Sequence, residues 1–525
     1  MNAPADRRSA EGFHARHRVL VEAIEDRFAV GGWRLGDIEL WPLARLDLHL
    51  DMMRAWTRDA PAPASTRWRR AAAGLAVPAT NLWRSRRDLA HWLPGPRPAH
   101  AVLLGDGGSL DWTPSGWQDR FGEPLLAACD RRGWPTLQMQ GGALRRLPWR
   151  RATYAANQLA MQGALAARFN LLRASLPDHA EVLAFLRGQG VAAPSLTPGA
   201  LTHRARLVDT TASAFEHVLR RARPRLAFVV AWYAGLGPAF MVACRRQGVL
   251  SVDLQHAPQG ETHKAYGWRR LPPGGYRVMP AAFWTWNEDE AARIRGWAQS
   301  TNDAWPAALA GGNLQLAPFL DDADPQTQAF DAAAETAAGA PAEREILVAL
   351  QPLAGQTAVW NALAARIEAS PPGWRWWIRR HPAALAGQDA VFGRLLSLAS
   401  PRVLVEPASR FALPVLLRRV SALVSLASGS AAEAALFGVP ALFLSPAARD
   451  LFPDLIAEGA ADVVDAGSVD TRIARLPPRP RRPEAARPPE VETSLARLEA
   501  LAAAYAERAL RRPGRPVDHA VDVSE

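Results

Sequence analysis

Lysine is almost absent from this sequence. Of the 62 basic residues only Lys264 is a lysine, so the net charge of +11 rests on arginines that are spread over most of the chain. A summed positive field attracts anions of every kind, but no zinc-finger or RNA-binding aromatic motif accompanies it here. We therefore expect anionic, phosphorylated partners and no nucleic acid.

Cysteine is also scarce. Cys129 and Cys244 are the only two, and both stand in apolar stretches (LLAACD and FMVACR). They allow neither a disulfide framework nor a cysteine metal site. The first residues carry charge and lack the continuous apolar stretch of a signal peptide. We expect a reducing, cytoplasmic location.

Long apolar runs are few. The longest, from Leu226 to Cys244, is interrupted by Gly235, Gly237 and Pro238. It approaches the length of a membrane-spanning helix, which needs about 20 residues. Its interruptions favour a buried strand, a turn and a buried helix, and a membrane span is the alternative.

The remaining composition, 49% apolar and 22% charged, is that of an ordinary globular protein. Strand and helix patterns alternate at short intervals, most clearly from Glu343 to Asp465, as in a parallel sheet that is covered on both faces. We predict an α/β fold with two Rossmann-like domains. Its parts are a helical N-terminal segment (1–97), a first domain (98–300) with a helical insertion (149–224), a linker (301–342), a second, nucleotide-binding domain (343–470), and a Pro/Arg-rich break with a C-terminal helix (471–525).

Ligands of such sheets sit beyond the carboxyl ends of the strands, and one strand pattern ends in a serine-rich turn. Ser428, Gly429 and Ser430 follow the apolar run SALVSLA and precede a helical pattern. Backbone N–H groups and hydroxyls at such a turn suit a diphosphate. Glu433 either completes a capping box with Ser430 or accepts hydrogen bonds from a ribose. A simple helix cap is the alternative for the whole turn.

A second strand pattern, WRWWI, ends in Arg379, Arg380 and His381. Pro382 follows and biases His381 towards an extended backbone. A histidine with two guanidinium groups can bind a phosphate and stabilise a departing nucleotide. The alternative is an ordinary loop histidine beside two solvated arginines.

A third strand pattern, VLSVDL, is followed by an unusual density of acid–base side chains. His256, Glu261 and His263 are candidates for a catalytic base, and Lys264 stands beside them. Two histidines seven positions apart, without a third ligand or an H-E-x-x-H pattern, do not make a metal site. We predict no metal and no cofactor.

Three features together resemble GT-B transferases of bacterial surface-polymer synthesis. They are the strand that ends in QH, the strand that ends in HP, and the segment SGSAAEAALFGVPALFL. The sequence is most similar to the group that contains CDP-glycerol glycerophosphotransferases, capsular polysaccharide transferases, and bacterial sialyl- and Kdo-transferases. The resemblance covers roughly 226–465 and implies two Rossmann-like domains that face a central cleft.

The resemblance also implies roles for individual residues. His381 would contact the donor phosphate, Ser428 and Ser430 the phosphate or nucleotide, and Glu433 the ribose. His256 would stand where those relatives have their proposed base, although they read His-Gly where this chain has Ala257. The serine segment is also similar to that of UDP-N-acetylglucosamine 2-epimerases and lipid A disaccharide synthases.

The sequence thus predicts a metal-independent transferase that moves a glycosyl or polyol-phosphate group from a nucleotide-activated donor to a cell-surface glycan. A nucleotide-sugar 2-epimerase and a non-catalytic glycan-assembly protein are the alternatives. The acceptor would be a glycan or a lipid-linked glycan. The Trp- and Arg-rich first hundred residues either contact the inner membrane peripherally or form a helical cap on the first domain.

Overall fold

A computed structural model describes the protein over residues 10–56, 95–105, 107–113, 116–141, 151, 153–256, 259, 263–269, 271–272, 275–298, 305–351, 356–381, 392–398, 400–478 and 491–511. Within these ranges the chain forms two fully parallel sheets flanked by helices, and two short antiparallel hairpins. The predicted α/β fold with two Rossmann-like sheets is confirmed.

The strands are β1 (Arg34–Leu35), β2 (Ile38–Glu39), β3 (Ala101–Gly105), β4 (Leu110–Thr113), β5 (Gly116–Asp119), β6 (Thr136–Gln140), β7 (Thr153–Ala155), β8 (Leu226–Val230), β9 (Leu250–Leu254), β10 (Ala282–Thr285), β11 (Ala307–Ala310), β12 (Arg344–Ala349), β13 (Trp374–Arg379), β14 (Val403–Leu404), β15 (Ala422–Ser425), β16 (Ala441–Phe443) and β17 (Ala461–Val463). The α-helices span Ala10–Arg27, Trp41–Trp56, Gly122–Arg131, Asn157–Ala167, His179–Gly188, Pro198–Ala222, Gly237–Gln247, Glu288–Ala298, Pro325–Ala338, Thr357–Ala369, Gly393–Leu396, Glu406–Arg410, Leu413–Leu417, Ser430–Leu436, Ala448–Leu451, Pro453–Ala457, Val469–Ala474 and Val491–Arg511.

Both sheets follow the same winding rule. The first sheet has the order β7-β6-β3-β8-β9-β10-β11, and the second has the order β14-β13-β12-β15-β16-β17. In each, the chain starts near the middle, builds outward to one edge, and returns to the middle to build the other half. This is the doubly wound arrangement, whose ligands bind where the order reverses. The reversal points lie between β3 and β8 and between β12 and β15.

Apolar side chains on both faces of each strand explain the continuous hydrophobic runs of the sequence. In β3, Val102 and Leu104 enter one core while Ala101 and Leu103 enter another. The strand β12 divides its residues between two further cores in the same way. The run from Leu226 is a buried strand followed by the helix Gly237–Gln247, as predicted. In the described residues no helix has the length and apolarity needed to cross a bilayer.

The N-terminal helices belong to the first core. Trp33 and Trp41 are fully buried there beside residues of the first sheet. Residues 10–56 therefore form a helical cap on the first domain, which was one of the two alternatives for the N-terminal segment. The rest of the first hundred residues, from 57 to 94, lies outside the described part of the chain.

The predicted linker, the predicted helical insertion and the C-terminal segment all contain strands or helices that pack against the two sheets. The predicted linker contains β11, which joins the first sheet, and the helix Pro325–Ala338, whose Phe330 packs in a core of the second sheet. The predicted helical insertion contributes the short strand β7 to the first sheet. The C-terminal helix Val491–Arg511 returns to the first sheet, where Leu495 and Leu498 are buried. Its Glu499 pairs with Arg225 at 2.8 Å.

Arg45 fastens the N-terminal helices to the segment that follows β9. Its side chain is 3% exposed, forms an ion pair with Glu25 at 3.4 Å, and donates to the Gly267 carbonyl oxygen at 2.7 Å. The guanidinium carbon also lies 3.7 Å from the ring centroid of Trp268. One buried cation therefore ties both N-terminal helices to residues 267–268.

Replacing Arg45 with methionine should destabilise the protein strongly, because it leaves the Glu25 carboxylate without this cation and the Gly267 carbonyl without this donor. Removing one partner of a buried pair costs about 3–5 kcal/mol. The matched control is Arg54→Met on the same helix, since the side chain of Arg54 is 58% exposed and meets Asp51 at 3.3 Å. That exposed pair should contribute about 1 kcal/mol or less. Urea unfolding measures both, and equal losses would contradict the fastening role.

Candidate functional site

The reversal point of the second sheet lies between β12 and β15, and polar residues follow both strands. Gln351 comes just after β12 and bonds across the gap to the residue before the serine turn. Its Nε2 donates to the Ala427 carbonyl at 3.1 Å, and its Oε1 accepts the Ala427 N–H at 2.8 Å. This amide holds the start of the serine turn against the end of β12.

The serine turn has a different internal structure from the predicted capping box. The hydroxyls of Ser428 and Ser430 lie 2.7 Å apart, and the Ser430 N–H points to Ser428 Oγ at 3.3 Å. The helix begins at Ser430 with Gly429 as its N-cap and has no side-chain cap bond. Ser430 is thus the first helical residue and not the N-cap that a capping box with Glu433 requires, and Glu433 is half-buried in the first turn. Gly429 is exposed, with open space where a Cβ would stand.

The three predicted residues at the end of β13 have separate surroundings. Arg379 is buried, and its Nη1 donates to the carbonyl oxygens of Ala408 (2.8 Å) and Phe411. These bonds fix a neighbouring turn, a role that the sequence did not indicate. Arg380 pairs with Glu406, while His381 is exposed at the strand end. Partial burial and then the charge of Arg379 lower the pKa of His381.

Strand register brings the candidates of the second sheet to one edge. Ala349 of β12 is the partner of both Arg379 in β13 and Ser425 in β15. The residues that follow these strands, Gln351, His381 and Ser428, therefore lie along the carboxyl edge of three adjacent strands. His381 and the serine turn therefore share one sheet edge.

The reversal point of the first sheet is occupied by a tight turn after β8. Ala231 has a φ of 59°, a strained value for a residue with a side chain. Gly237 closes the turn, because a Cβ there would lie 2.1 Å from the Trp232 carbonyl oxygen. The turn presents Tyr233, which was not among the site residues predicted from the sequence although it follows a strand.

His256 follows β9, the next strand along, and contacts Tyr233. Its Nδ1 lies 3.4 Å from the Leu254 carbonyl oxygen and its Nε2 lies 3.2 Å from the Tyr233 hydroxyl. A carbonyl oxygen can only accept, so the Nδ1 contact favours the tautomer that carries its proton there. In that tautomer the lone pair of Nε2 accepts the tyrosine O–H, and the half-buried ring offers a basic nitrogen.

The other two base candidates differ from His256. His263 Nδ1 accepts the Ala265 N–H at 3.1 Å, which places the ring proton on Nε2. Burial, followed by the charge of Lys264, lowers the pKa of His263 to about 2. His263 is therefore a neutral hydrogen-bond donor and a poor proton acceptor. Glu261 lies outside the described residues.

A buried carboxyl group, Asp253, supports this region. Its Oδ1 accepts the Trp232 N–H at 3.0 Å, and its Oδ2 accepts the Tyr266 hydroxyl at 2.6 Å. Burial raises the pKa of Asp253 to about 7. A single charged residue inside the apolar run VLSVDL was the signal that could have identified it. Asp253 joins the turn after β8 to the segment after β9.

The N-terminal helices add a histidine cluster that we define as His14, His17 and His49. The His49 ring stacks on His14 at a centroid distance of 5.4 Å and meets His17 edge-on at 4.9 Å. Burial lowers the pKa of His49 to about 3 and that of His17 to about 4, and the charge of Lys264 adds to both effects. The Lys264 ammonium itself lies 5.2 Å from the ring centroid of Tyr233.

Two buried polar side chains crowd the end of β3. A Cβ on Gly105 would lie 2.3 Å from Gln140 Oε1 and 2.4 Å from Asp119 Oδ2, so a larger residue there would have to displace these two side chains. Gln140 is 1% exposed, and neither polar atom of its amide has a hydrogen-bond partner in the structure. An unsatisfied buried amide is costly, and a ligand hydroxyl at the carboxyl end of β6 would satisfy it.

The described residues contain no cluster of three or more His, Cys, Asp or Glu side chains arranged to hold a metal ion. The polar groups described at the two sheet edges are imidazoles, hydroxyls, amides and guanidinium groups. The carboxyl groups there are those of Asp119, Asp253 and Glu433.

No protein-family model matches the sequence, and neither does any curated protein. Solved structures with a similar fold include the UDP-GlcNAc 2-epimerase of Methanocaldococcus jannaschii (10% identity, 76% of this chain and 98% of the other, TM-score 0.44). They also include the wall teichoic acid polymerase TagF (8% identity, 85% and 100%, TM-score 0.42). The glycosyltransferase SnogD of Streptomyces nogalater is a third (15% identity, 78% and 98%, TM-score 0.36). These proteins include both transferases and epimerases.

The buried histidines predict acid sensitivity. The folded pKa values of His17 and His49, about 4 and about 3, lie below the ordinary 6.5. The unfolded chain thus takes up protons first, and stability is complete above pH 6.5 and is lost as the pH falls. At pH 5 each histidine should cost on the order of 2 kcal/mol relative to pH 7. Urea unfolding at the two pH values measures the loss.

The variant His49→Gln should reduce this pH dependence, because glutamine does not titrate. His217→Gln is the control, since His217 is exposed on the helix Pro198–Ala222. If the loss between pH 7 and pH 5 were the same in both variants, the cluster would not be its source.

Proposed function

We propose that this protein is a metal-independent transferase that moves a glycosyl or polyol-phosphate group from a nucleotide-activated donor to a cell-surface glycan acceptor. One observation carries the proposal: both doubly wound sheets bear polar side chains at the strand-order reversal, where ligands of this fold class bind. The second sheet offers Gln351, Ser428 and Ser430, and the first offers Tyr233 with His256 beside it.

The donor nucleotide would bind at the second sheet. The paired hydroxyls of Ser428 and Ser430 retain spare donor and acceptor capacity, and exposed Gly429 lets a diphosphate approach the backbone closely. His381 would donate to the departing phosphate, with Arg380 nearby and Glu433 towards the ribose. Arg379 would act indirectly, by fixing the turn that contains Ala408.

The acceptor would bind at the first sheet. His256 Nε2 would take the proton of the acceptor hydroxyl when Tyr233 gives up its hydrogen bond, so that the oxygen attacks the transferred group. The bond from that group to the nucleotide phosphate breaks, and the electron pair leaves with the phosphate. The amide of Gln140 would meet an acceptor hydroxyl. Glu261 is the alternative base, and the neutral ring of His263 suits a positioning role.

The alternatives share the fold and are separated by their substrates. A 2-epimerase would convert a nucleotide sugar such as UDP-N-acetylglucosamine without any acceptor. A non-catalytic assembly protein would bind the nucleotide and neither hydrolyse nor transfer the donor. In the transferase proposal, the acceptor is a glycan or a lipid-linked glycan at the inner membrane, and the protein works in the cytoplasm with peripheral membrane contact.

Nucleotide binding should stabilise the protein, because a ligand at 100 times its Kd adds about 2.7 kcal/mol. A thermal-shift screen with CMP, CDP, UDP and GDP should give one strong response. Ser428→Ala/Ser430→Ala should abolish it, while Ser397→Ala, an exposed serine near the end of the helix Gly393–Leu396, should not. An unchanged response in the double variant would place the nucleotide elsewhere.

With the responding nucleotide's sugar as donor, His256→Ala should lower kcat about 10²- to 10⁴-fold, the usual contribution of a general base. His381→Ala should also lose most of the activity, through the leaving phosphate. Both variants should keep the wild-type melting temperature, and His217→Ala should keep full turnover. Near wild-type turnover by either site variant would remove that residue from the proposal, and turnover without an acceptor would favour the epimerase.

A further inference from the structure

A group of large apolar side chains is exposed at the end of the helix Asn157–Ala167 and in the loop that leads to the helix His179–Gly188. Leu165, Phe169, Leu171 and Leu172 are 52%, 83%, 85% and 51% exposed. They are four of the eight large apolar side chains that are exposed in the described part of the chain. We call these four residues, together with Arg168 and Arg173, the 165–173 patch. Such a concentration marks an interaction surface.

The backbone of the patch is fastened to the rest of the domain. Arg206 donates twice to the Leu172 carbonyl oxygen, from Nε at 2.9 Å and from Nη2 at 2.6 Å. Asn170 donates to Asp209 at 3.0 Å and accepts the Leu172 N–H at 3.0 Å. Ser175 pairs with Arg34 of β1 through two backbone bonds. The apolar side chains are therefore held outward on an anchored loop.

The chain segment that carries the patch has basic residues and no acidic ones. No acidic residue occurs between Asp130 and Asp178, while eight arginines do. Arg168 and Arg173 are exposed on either side of Phe169 and the two leucines. Aromatic and leucine side chains flanked by arginine are typical of segments that lie in a bilayer interface, and anionic headgroups attract such arginines.

We propose that the 165–173 patch docks on an anionic lipid bilayer. Phe169, Leu171 and Leu172 enter the boundary between headgroups and acyl chains, and Arg168 and Arg173 bind lipid phosphates. The patch would be the surface that makes the peripheral membrane contact of the proposed function, and its biological purpose rests on that function. Vesicle binding is measured without substrate, so the docking and the reaction can fail separately.

The test is flotation of the full-length protein with phosphatidylcholine vesicles and with vesicles of equal parts phosphatidylcholine and phosphatidylglycerol. Binding should require the anionic lipid and fall as salt is added. Phe169→Ser/Leu171→Ser/Leu172→Ser should lower the partition coefficient by about tenfold or more. Arg168→Gln/Arg173→Gln should lower it about fivefold for each arginine. The controls Val19→Ser and Arg187→Gln, at exposed sites elsewhere, should bind like the wild type.

A label tests insertion directly. Both native cysteines are buried, so Leu171→Cys can be labelled selectively with an environment-sensitive nitrobenzoxadiazole. Its emission should shift to the blue on anionic vesicles, whereas the same label at Val19→Cys should not shift. Wild-type vesicle binding by the triple serine variant, or an unshifted label on Leu171→Cys, would overturn the proposal. A third outcome would also overturn it: the wild type forms a homodimer and does not bind vesicles, and the triple serine variant is a monomer. The patch would then be a protein interface.

Discussion

The candidate site of the first sheet depends on one buried carboxyl group. Asp253 accepts the backbone N–H of Trp232 and the hydroxyl of Tyr266, and so holds two separate segments in contact. One is the strained turn after β8, which presents Tyr233, and the other is the segment after β9. Because Asp253 lies in the sheet itself, the rigid strand β9 sets the position of both segments. Without this carboxyl group, the turn and the segment would lose the two hydrogen bonds that join Trp232 and Tyr266 through β9.

The N-terminal helices complete this support from the outside. Arg45 binds the Gly267 carbonyl and covers Trp268, so residues 263–268 lie between Asp253 on one side and the helices on the other. The same helices bring His14, His17 and His49 close enough to Lys264 for its charge to lower their pKa values. Residues 10–56 thus contribute to the electrostatics of the site as well as to the core.

The sequence led to His256, His381 and the serine turn because all three follow strands, and strand patterns are readable from apolar runs. The same rule applied to Tyr233 and Gln351, but their types are common in loops and carry no signal of their own. For Arg379 the sequence did not indicate the bonds to the carbonyls of Ala408 and Phe411, since side-chain direction at the last residue of a strand depends on register and not on composition. His49 could not be predicted, because tertiary packing brings it near Lys264 across more than two hundred residues of sequence. Asp253 is visible in the sequence as a charged residue in an apolar run, but its role depends on the buried partners Trp232 and Tyr266, which the sequence does not reveal.

Two titrations with opposite signs bear on the same segment. The histidine cluster has lowered pKa values and contributes full stability above pH 6.5. The pKa of Asp253 is raised from 3.8 to about 7, so its protonated form is favoured in the folded protein, and its contribution is complete below pH 3.8 and declines as the pH rises to about 7. Below pH 6.5, protonation of the histidines therefore costs stability in the N-terminal helices that cover residues 263–268, whereas above pH 3.8 ionisation of the buried Asp253 costs stability on the inner side of the same segment. Between pH 3.8 and 6.5 each contribution is only partly present, so a rise in pH strengthens one while it weakens the other, and the two do not reach their full values at any common pH.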